Sequence, residues 1–194
     1  MEDDRAPDKS AQAGGQASDV DLTPPVSERD HSQGTPEAAV TLVVYGDYEC
    51  PYTRRALGVV RTIQPELGDD LRFVFRNFPL TDIHPHAMHA AEAAEAADAE
   101  GRFWEMHRYL FAHQQALEDS DLARYAVEVG LDANRFAHDL AAHSGKVRIV
   151  EDLHSGVNSG VQGTPTLFIN GARHDASWEH DSLLPALRLA MEHR

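Results

Sequence analysis

The chain is organised around a short apolar run that is followed by a helical repeat. Val40 to Tyr45 is rich in β-branched and aromatic side chains, which is typical of a buried strand. Gly46 interrupts this run, and apolar positions then recur with helical spacing. Pro51 lies where the helix should begin, and proline suits a first helical position because no N–H bond is lost there. Cys50 is therefore predicted to lie at the N-terminal end of a helix that follows a central strand.

The remaining pattern returns to strands only twice. Leu71 to Phe75 alternates and predicts a second strand, parallel to the first because a helix joins the two. From about residue 81 to 160 the pattern is almost wholly helical, and a block this long is predicted to form its own helical layer. Thr166 to Ile169 predicts another strand, and Asn170-Gly171 a hairpin turn into a short partner at 172–174. Helices are predicted at 85–99, 103–113, 119–129, from 132, at 146–159 and at 178–192.

Residues 1–38 differ from the rest in composition. They contain few large apolar side chains, with nine acidic and three basic residues. Such a segment cannot bury enough apolar surface to offset its ordering entropy, so it is predicted to be a disordered acidic leader. The part from 24 to 36 could still follow the domain surface as an extended arm. Residues 39–194 are predicted to form one domain, with its core at 39–80 and 161–194 around the helical block.

Charge and composition exclude several classes of protein. The net charge of −15 argues against a nucleic-acid-binding surface, because phosphate contacts need clustered Lys and Arg. No apolar run approaches the roughly 20 residues that span a bilayer. The first residues, M-E-D-D-R, lack the basic start and apolar core of a secretion signal, which predicts a cytoplasmic location. A signal that had been removed would leave the same pattern, so an extracytoplasmic location is the alternative.

The single cysteine excludes an intrachain disulfide and draws attention to its own chemistry. Unpaired N–H groups and the helix dipole favour an anion at a helix N-terminus, so Cys50 is predicted to be a thiolate nucleophile. The alternative interpretation is a buried structural cysteine. Thiol chemistry requires instead that the sulfur face a shallow cleft and not the interior.

Two motifs resemble the DsbA-like family of the thioredoxin superfamily. Y-G-D-Y-E-C-P-Y-T resembles its active-site region, whose usual motif is C-P-Y-C, and G-T-P-T at 163–166 resembles its cis-proline loop. The resemblance covers about residues 36–194. It implies an α/β, thioredoxin-like fold with an inserted all-helical subdomain, and a thiol–disulfide oxidoreductase with Cys50 as its nucleophile. Its substrates would be protein or small-molecule disulfides, and oligomeric state is left open.

The same resemblance implies a substrate groove beside the sulfur. Its residues would be Pro51, Tyr52, Thr164 and Pro165, with a cis Thr164–Pro165 bond and backbone pairing between Thr164 and an extended substrate. Tyr52 could equally be a packing residue. Tyr48 is also predicted to flank this groove.

Thr53 is the main departure, because it stands where the family has its second, resolving cysteine. The resolving thiol must then come from outside, for example from glutathione, which predicts monothiol exchange. The Thr53 hydroxyl is predicted to donate a hydrogen bond to the Cys50 sulfur. Glu49 would oppose a thiolate, while Arg54 and Arg55 would favour one. An alternative is that Thr53 was introduced in place of the resolving cysteine in order to trap substrates.

Twelve histidines raise the question of a metal site. His84, His86 and His89 are clustered, and residues 151–154 form one E-x-x-H motif. A di-iron bundle needs a second such motif, and no spacing here matches a closed zinc site. The sequence therefore predicts no metal and no bound cofactor. His84 and His86 could instead border the groove near Cys50.

Two other functions stay open at this point. The chain could be a binding or chaperone module that kept the fold and lost turnover. It could also be an enzyme like the kappa-class glutathione transferases or related isomerases, which share the insertion but have Ser where this chain has Cys50.

Overall fold

Five strands and seven α-helices make up residues 21–193, the part of the chain that the computed structural model describes. The strands are β1 (His31–Gln33), β2 (Val40–Gly46), β3 (Leu71–Asn77), β4 (Thr166–Ile169) and β5 (Ala172–His174). The helices are α1 (Pro51–Leu67), α2 (Ala87–Asp98), α3 (Phe103–Ala112), α4 (Asp119–Glu128), α5 (Ala133–Ala141), α6 (Lys146–Asn158) and α7 (His180–Glu192).

All five strands form one sheet in the order β1-β3-β2-β4-β5. β2 and β3 are parallel, as the strand–helix–strand order predicts, and every other neighbouring pair is antiparallel. The interior of β2 is almost completely buried, because it lies between two strands and under helices. Its carboxyl end leads into α1, and open α/β sheets usually have their functional sites at this end.

The helical insertion consists of α2 to α6, which lie between β3 and β4 in the chain. α2 is alanine-rich and buried on every side, as expected for a helix without a polar face. It packs against α3, α4, α5 and α6, so it is the centre of the insertion. The predicted α/β architecture with an all-helical insertion is confirmed.

Two local predictions rest on polar side chains and turn chemistry. The carboxylate of Asp132 accepts hydrogen bonds from the backbone N–H groups of Asn134 and Arg135, which caps α5 as predicted. Asn170 and Gly171 have φ values of 49° and 88°, and two successive positive φ values characterise the type I′ turn of a two-residue hairpin.

The predicted leader differs from the structure over part of its length. Residues 1–20 lie outside the described residues. From Asp21 onward the chain is packed on the domain: Leu22 is buried, and β1 pairs with β3 in the sheet. The boundary at residue 38 is therefore too late. Contacts of a few buried polar side chains hold this segment, and composition alone does not reveal them.

Candidate active site

Cys50 is the N-cap of α1, with Pro51 at the first helical position. The Cys50 N–H donates to Asp47 O at 3.1 Å, which closes the turn after β2, and Arg54 N–H donates to Cys50 O at 3.2 Å as the helix begins. No side chain caps this helix. Cys50 therefore stands at the N-cap, where a serine or aspartate oxygen usually accepts the first free N–H groups, but its sulfur makes no such bond.

The predicted loop lies directly against the sulfur. The Thr164–Pro165 peptide bond is cis, and the Cys50 thiol donates to the backbone oxygen of Thr164, with Sγ and O 3.3 Å apart. The hydroxyl of Thr164 is also covered, and no described residue hydrogen-bonds to it. The fold thus brings together three of the residues that the sequence selected, although they are far apart in the chain.

The sulfur is less accessible than a shallow cleft implies. Cys50 is only 3% exposed, whereas the neighbouring Tyr52 is 59% exposed. Pro51 is exposed as well. Cys50 is covered from one side by the Thr164 carbonyl, so a disulfide can reach it only by displacing or entering beside that loop.

Thr53 has a different hydrogen bond from the one predicted. Its side chain is fully buried, and its hydroxyl oxygen accepts the N–H of Asp47 at 3.4 Å. Between residues 21 and 193, no hydrogen bond joins it to the Cys50 sulfur. A Cβ on Gly46 would lie 2.7 Å from the Thr53 methyl group, so only glycine permits this close approach. Thr53 braces the turn before the helix because its hydroxyl faces the backbone of that turn.

Tyr48 is a core residue and does not flank a groove. It is 1% exposed, and its hydroxyl lies 3.0 Å from Nδ1 of His107. Burial raises the pKa of Tyr48 well above its ordinary value, with the charge of Glu95 adding to the effect. Burial also lowers the pKa of His107 to about 3, so both groups stay neutral near pH 7.

Two carboxylates before Cys50 are paired with histidines of the segment that leads into α2. Asp47 is buried and accepts hydrogen bonds from the N–H groups of Glu49 and Leu80, and its Oδ2 lies 2.8 Å from Nδ1 of His84. Glu49 accepts the N–H of His86 at 2.8 Å and faces its Nδ1 at 3.0 Å. His84 and His86 therefore contact the turn that carries Cys50.

The His86 imidazole lies between two carboxylates. Its Nε2 is 3.2 Å from Glu118, and the pKa of His86 is raised, first by the hydrogen bond to Glu49 and further by the charges of Glu49 and Glu118. A protonated His86 partly offsets the negative charge that Glu49 brings near the sulfur. The two arginines of the first helical turn are exposed, and Arg55 pairs with Glu179 at 3.2 Å.

Gln114 is a site residue that sequence reasoning missed. Its amide donates to the backbone oxygens of Tyr48 and Cys50, at 2.7 and 3.0 Å, and its side chain is buried. It lies in the connection between α3 and α4, so the helical insertion holds the active-site turn in place. No local motif identifies such a residue.

A cavity of about 470 Å³ lies between α1, α3 and β3, and Cys50 is not among its lining residues. Its lining combines aromatic side chains with three exposed arginines. Those residues are Phe73, Trp104, Phe111, Arg54, Arg61 and Arg108. The cavity is therefore separate from the sulfur and the cis-proline loop.

No helix between residues 21 and 193 is both long enough and apolar enough to cross a membrane.

Comparison with known proteins agrees with this geometry. A family model described as thioredoxin matches residues 26–188. A thioredoxin-like oxidoreductase from Silicibacter pomeroyi has a TM-score of 0.76 and 28% identity, covering 86% of this chain and 94% of that one. Oxidised BdbD from Bacillus subtilis has a TM-score of 0.76 and 21% identity, covering 84% and 94%. The second likeness shows the fold alone, and together they confirm the predicted thioredoxin-like, DsbA-like architecture.

A different set of relatives matches most of this chain, but the match covers only part of each relative's own length. The Na⁺/H⁺ antiporter NhaA 1 of Mycolicibacterium gilvum is 48% identical over 168 residues, which are 86% of this chain and 27% of the antiporter. The chain spans about a quarter of the relatives that it matches in this way.

Proposed function

This chain belongs to the thioredoxin family, and from that premise we propose that it is a thiol–disulfide oxidoreductase working through Cys50 alone. The contact that carries the proposal is the 3.3 Å approach of the Cys50 sulfur to Thr164 O, beside the cis bond to Pro165 and at the free N-terminus of α1. This arrangement combines a nucleophile, an anion-stabilising helix end and a backbone edge for the substrate.

The first step is an exchange at sulfur. The Cys50 thiolate attacks one sulfur of a substrate disulfide, a mixed disulfide forms, and the other substrate sulfur leaves as a thiolate. The electron pair of the broken S–S bond goes to the leaving sulfur, so oxidation and reduction balance within the step.

Ionisation of Cys50 exchanges one hydrogen bond for others. As a thiol it donates to Thr164 O, and this bond is lost when the proton leaves. As a thiolate it can accept the free N–H groups of the first turn, as an N-cap oxygen does, and the helix dipole acts in the same direction. Hydrogen bonds to an ionised acceptor are roughly twice as strong as neutral ones.

The second step needs a thiol from outside, because the chain has a single cysteine and Thr53 cannot resolve the mixed disulfide. A low-molecular-weight thiol such as glutathione attacks the substrate sulfur, releases Cys50 as a thiolate and leaves as a mixed disulfide with the substrate. The net reaction consumes one substrate disulfide and one thiol. A reducing, cytoplasmic setting that supplies this thiol is part of the proposal.

Protein or small-molecule disulfides are the proposed substrates. The backbone of Thr164 is offered to an extended chain by β-type pairing, and the exposed Tyr52 and Pro51 extend the contact surface on the other side of the sulfur. Because Cys50 is covered, small reagents should react faster with it than bulky ones.

The test measures alkylation and turnover on the same protein. Alkylation of Cys50 by iodoacetamide is followed from pH 5 to pH 9, and glutathione-dependent reduction of a disulfide substrate is then assayed with Cys50→Ser as the control. We expect alkylation to remain fast at pH 6 and turnover to be absent in Cys50→Ser.

Each other outcome assigns the chain to another class. Fast alkylation without turnover would favour a binding or chaperone module. Conjugation of glutathione to an electrophile that persists in Cys50→Ser would favour a kappa-like transferase. Alkylation that rises only above pH 8 would contradict the thiolate nucleophile.

His86→Gln is expected to slow alkylation of Cys50 at pH 6 about threefold relative to wild type, through the change in charge beside the active-site turn. The substitution removes the cation that faces Glu49, so the carboxylate opposes the thiolate more strongly. The effect should shrink as the pH rises through the raised pKa of His86, because residue 86 is then neutral in both proteins. His138→Gln, an exposed histidine on α5, is the matched control, and an equal loss in both would contradict this account.

A second candidate function is thiol exchange that supports a membrane transporter. The 48% identity to part of a protein named as a Na⁺/H⁺ antiporter favours this function. The chain would then act on, or beside, an antiporter as its thiol-exchanging unit. Sodium-driven proton exchange in vesicles containing the antiporter, measured with this chain and with its Cys50→Ser variant, tests this proposal. Equal exchange in both would remove it without affecting the thiol chemistry.

A further inference from the structure

A second cluster of chemically active side chains lies at one face of α2. His89 and Glu92 are three residues apart on this helix, and His143 reaches them from the turn after α5. Nδ1 of His143 lies 2.9 and 3.1 Å from the two carboxylate oxygens of Glu92, and Nε2 of His89 lies 3.7 Å from one of them. One atom from each of the three side chains falls within 4.8 Å of the other two.

The turn that carries His143 is held in an unusual conformation. His143 has a φ of 51°, in the left-handed region that non-glycine residues seldom adopt. Two residues later, a Cβ on Gly145 would lie 2.5 Å from Cβ of Glu95, so only glycine lets the turn approach α2 this closely. Strained backbone of this kind is commonly retained where it positions a functional side chain.

The hydrogen bonds around His89 leave one of its nitrogens facing a carboxylate. Nδ1 of His89 lies 2.8 Å from an oxygen of Asp119, so its proton is donated there. Nε2 of His89 faces Glu92 at 3.7 Å, and the Glu92 side chain is only 2% exposed. A divalent cation placed between Nε2 of His89 and the Glu92 carboxylate would be attracted to both groups.

We propose that His89, Glu92 and His143 bind a divalent transition-metal ion of the Zn²⁺ type. Two imidazoles and a carboxylate are a ligand set that such ions use, with a fourth position left for water. A histidine ligand whose other nitrogen donates to a carboxylate, as His89 does to Asp119, is the usual outer arrangement of such sites.

The dimensions fit with small adjustments. Ligand atoms bound at about 2.0–2.1 Å in a tetrahedron lie roughly 3.3–3.5 Å apart. The observed separations of 2.9 and 3.7 Å from Glu92 fall on either side of this value. The two histidine side chains are 34% and 54% exposed, so an ion can enter from solvent.

Another group of possible metal ligands, His31, Glu95 and Asp98, lies beside α2 and is less suited to binding a metal ion. His31 lies between Glu95, at 2.9 Å from Nε2, and Asp98, at 3.6 Å from Nδ1, so its two nitrogens are used by different carboxylates. Glu95 also accepts the side-chain amide of Asn77 at 2.8 Å. This group contains only one imidazole, and we interpret it as a hydrogen-bond network that stabilises the fold.

The experiment is a calorimetric titration of the full chain with Zn²⁺, with Co²⁺ absorption spectra as a readout of coordination geometry. Wild type is expected to bind one Zn²⁺ ion and to give the intense visible bands of four-coordinate Co²⁺. His143→Asn keeps a residue that tolerates positive φ and removes the imidazole, and it should weaken binding at least tenfold. His89→Gln should do the same, which covers the case in which one variant fails to fold.

Two further variants make the assignment specific. Asp119→Asn should weaken Zn²⁺ binding about 10- to 100-fold, because the native Asp119 carboxylate orients His89 without contacting the ion. His138→Asn, on the exposed surface of α5, should leave binding unchanged. Wild-type affinity in both His143→Asn and His89→Gln would overturn the proposal, and so would binding that is lost only in His31→Asn.

Discussion

Arg76→Met is expected to lower the free energy of unfolding by about 3–5 kcal/mol at pH 7, since the buried carboxylate of Asp30 loses its hydrogen-bonded cation and retains the more distant Arg148, 3.8 Å away. Arg76 and Asp30 are 3% and 4% exposed, and the guanidinium donates to both carboxylate oxygens, at 2.7 and 3.2 Å. Domains of this size have roughly 5–15 kcal/mol of stability in total. The loss is to be measured by urea unfolding followed by circular dichroism.

Arg76 contributes more than one ion pair. It also donates to the backbone oxygens of Pro24 and Pro25, and to the hydroxyls of Tyr45 and Ser155, at distances of 2.8–3.3 Å. These partners come from the N-terminal arm, from the central strand β2 and from α6. The substitution therefore removes contacts of the arm with Arg76 as well as the closest cation of Asp30, while β1 keeps its pairing with β3.

Matched variants separate the buried pair from a general effect of losing an arginine. Arg188→Met removes an exposed arginine of α7 whose nearest carboxylate, on Glu66, is 3.9 Å away, and it should change stability by about 0.5 kcal/mol or less. The double variant Arg76→Met with Asp30→Leu should be more stable than Arg76→Met alone, because neither charge of the pair is left without the other. Equal losses in Arg76→Met and Arg188→Met would contradict the account.

The pH dependence of stability is a further test of the contribution of the Arg76–Asp30 pair. Burial acts to raise the pKa of Asp30, but the hydrogen bonds from Arg76 and from the Ser27 backbone outweigh it, so the pKa is lowered from 3.8. A depressed folded-state pKa means that this group stabilises the protein above pH 4 and that the contribution is lost as pH falls through the folded pKa. Without Arg76, burial makes protonation favourable, so the gap between variant and wild type should shrink below pH 4.

This pair also marks the limit of what the sequence predicts. The strands β2 to β5, the helices and the parallel β2–β3 pair follow from local hydrophobic pattern and turn chemistry, which depend on neighbouring residues. The sequence allows an arm at 24–36 as an alternative to disorder, but it does not predict β1 or the Arg76–Asp30 pair, because these two residues are 46 apart and their pairing depends on the finished fold. A polar, acidic composition describes a disordered tail and an arm held by buried ion pairs equally well.

In the active site, too, some features could be predicted from the sequence and others could not. The motif around Cys50 and the Thr164–Pro165 motif could be located because each is local, and the fold brings them together. Gln114 and the burial of Tyr48 could not be predicted, since both depend on where the helical insertion packs. The cluster of His89, Glu92 and His143 was missed for the same reason, although H-x-x-E is visible on α2.

Thr53→Cys is expected to convert the chain into a dithiol oxidase, with a rate at least tenfold above wild type, because an intramolecular thiol has a high effective concentration. Residues 50 and 53 lie at the N-cap and third position of α1, and side chains three apart on a helix are neighbours. Their expected spacing falls within the range that a disulfide bridges. The new thiol would resolve the mixed disulfide and leave a Cys50–residue 53 disulfide that oxidises the next dithiol.

The site should accept this change at small cost. Cysteine is smaller than threonine, so the close approach of Gly46 is relieved, and the lost hydrogen bond from Asp47 N–H is long, at 3.4 Å. A destabilisation of about 1 kcal/mol is expected. Intact-mass spectra should show the loss of two hydrogens after mild oxidation, and oxidation of a dithiol peptide should be catalysed.

Thr53→Ser is the matched control, because it keeps the hydroxyl and adds no thiol, and it should show no gain. Thr53→Cys combined with Cys50→Ser should also be inactive, since the buried thiol at position 53 has no partner. If Thr53→Cys folds and forms its disulfide but catalyses nothing, the covered sulfur and its Thr164 cap do not admit a substrate. That result would contradict the proposed exchange chemistry of the native site, because resolution would then not be the step that limits it.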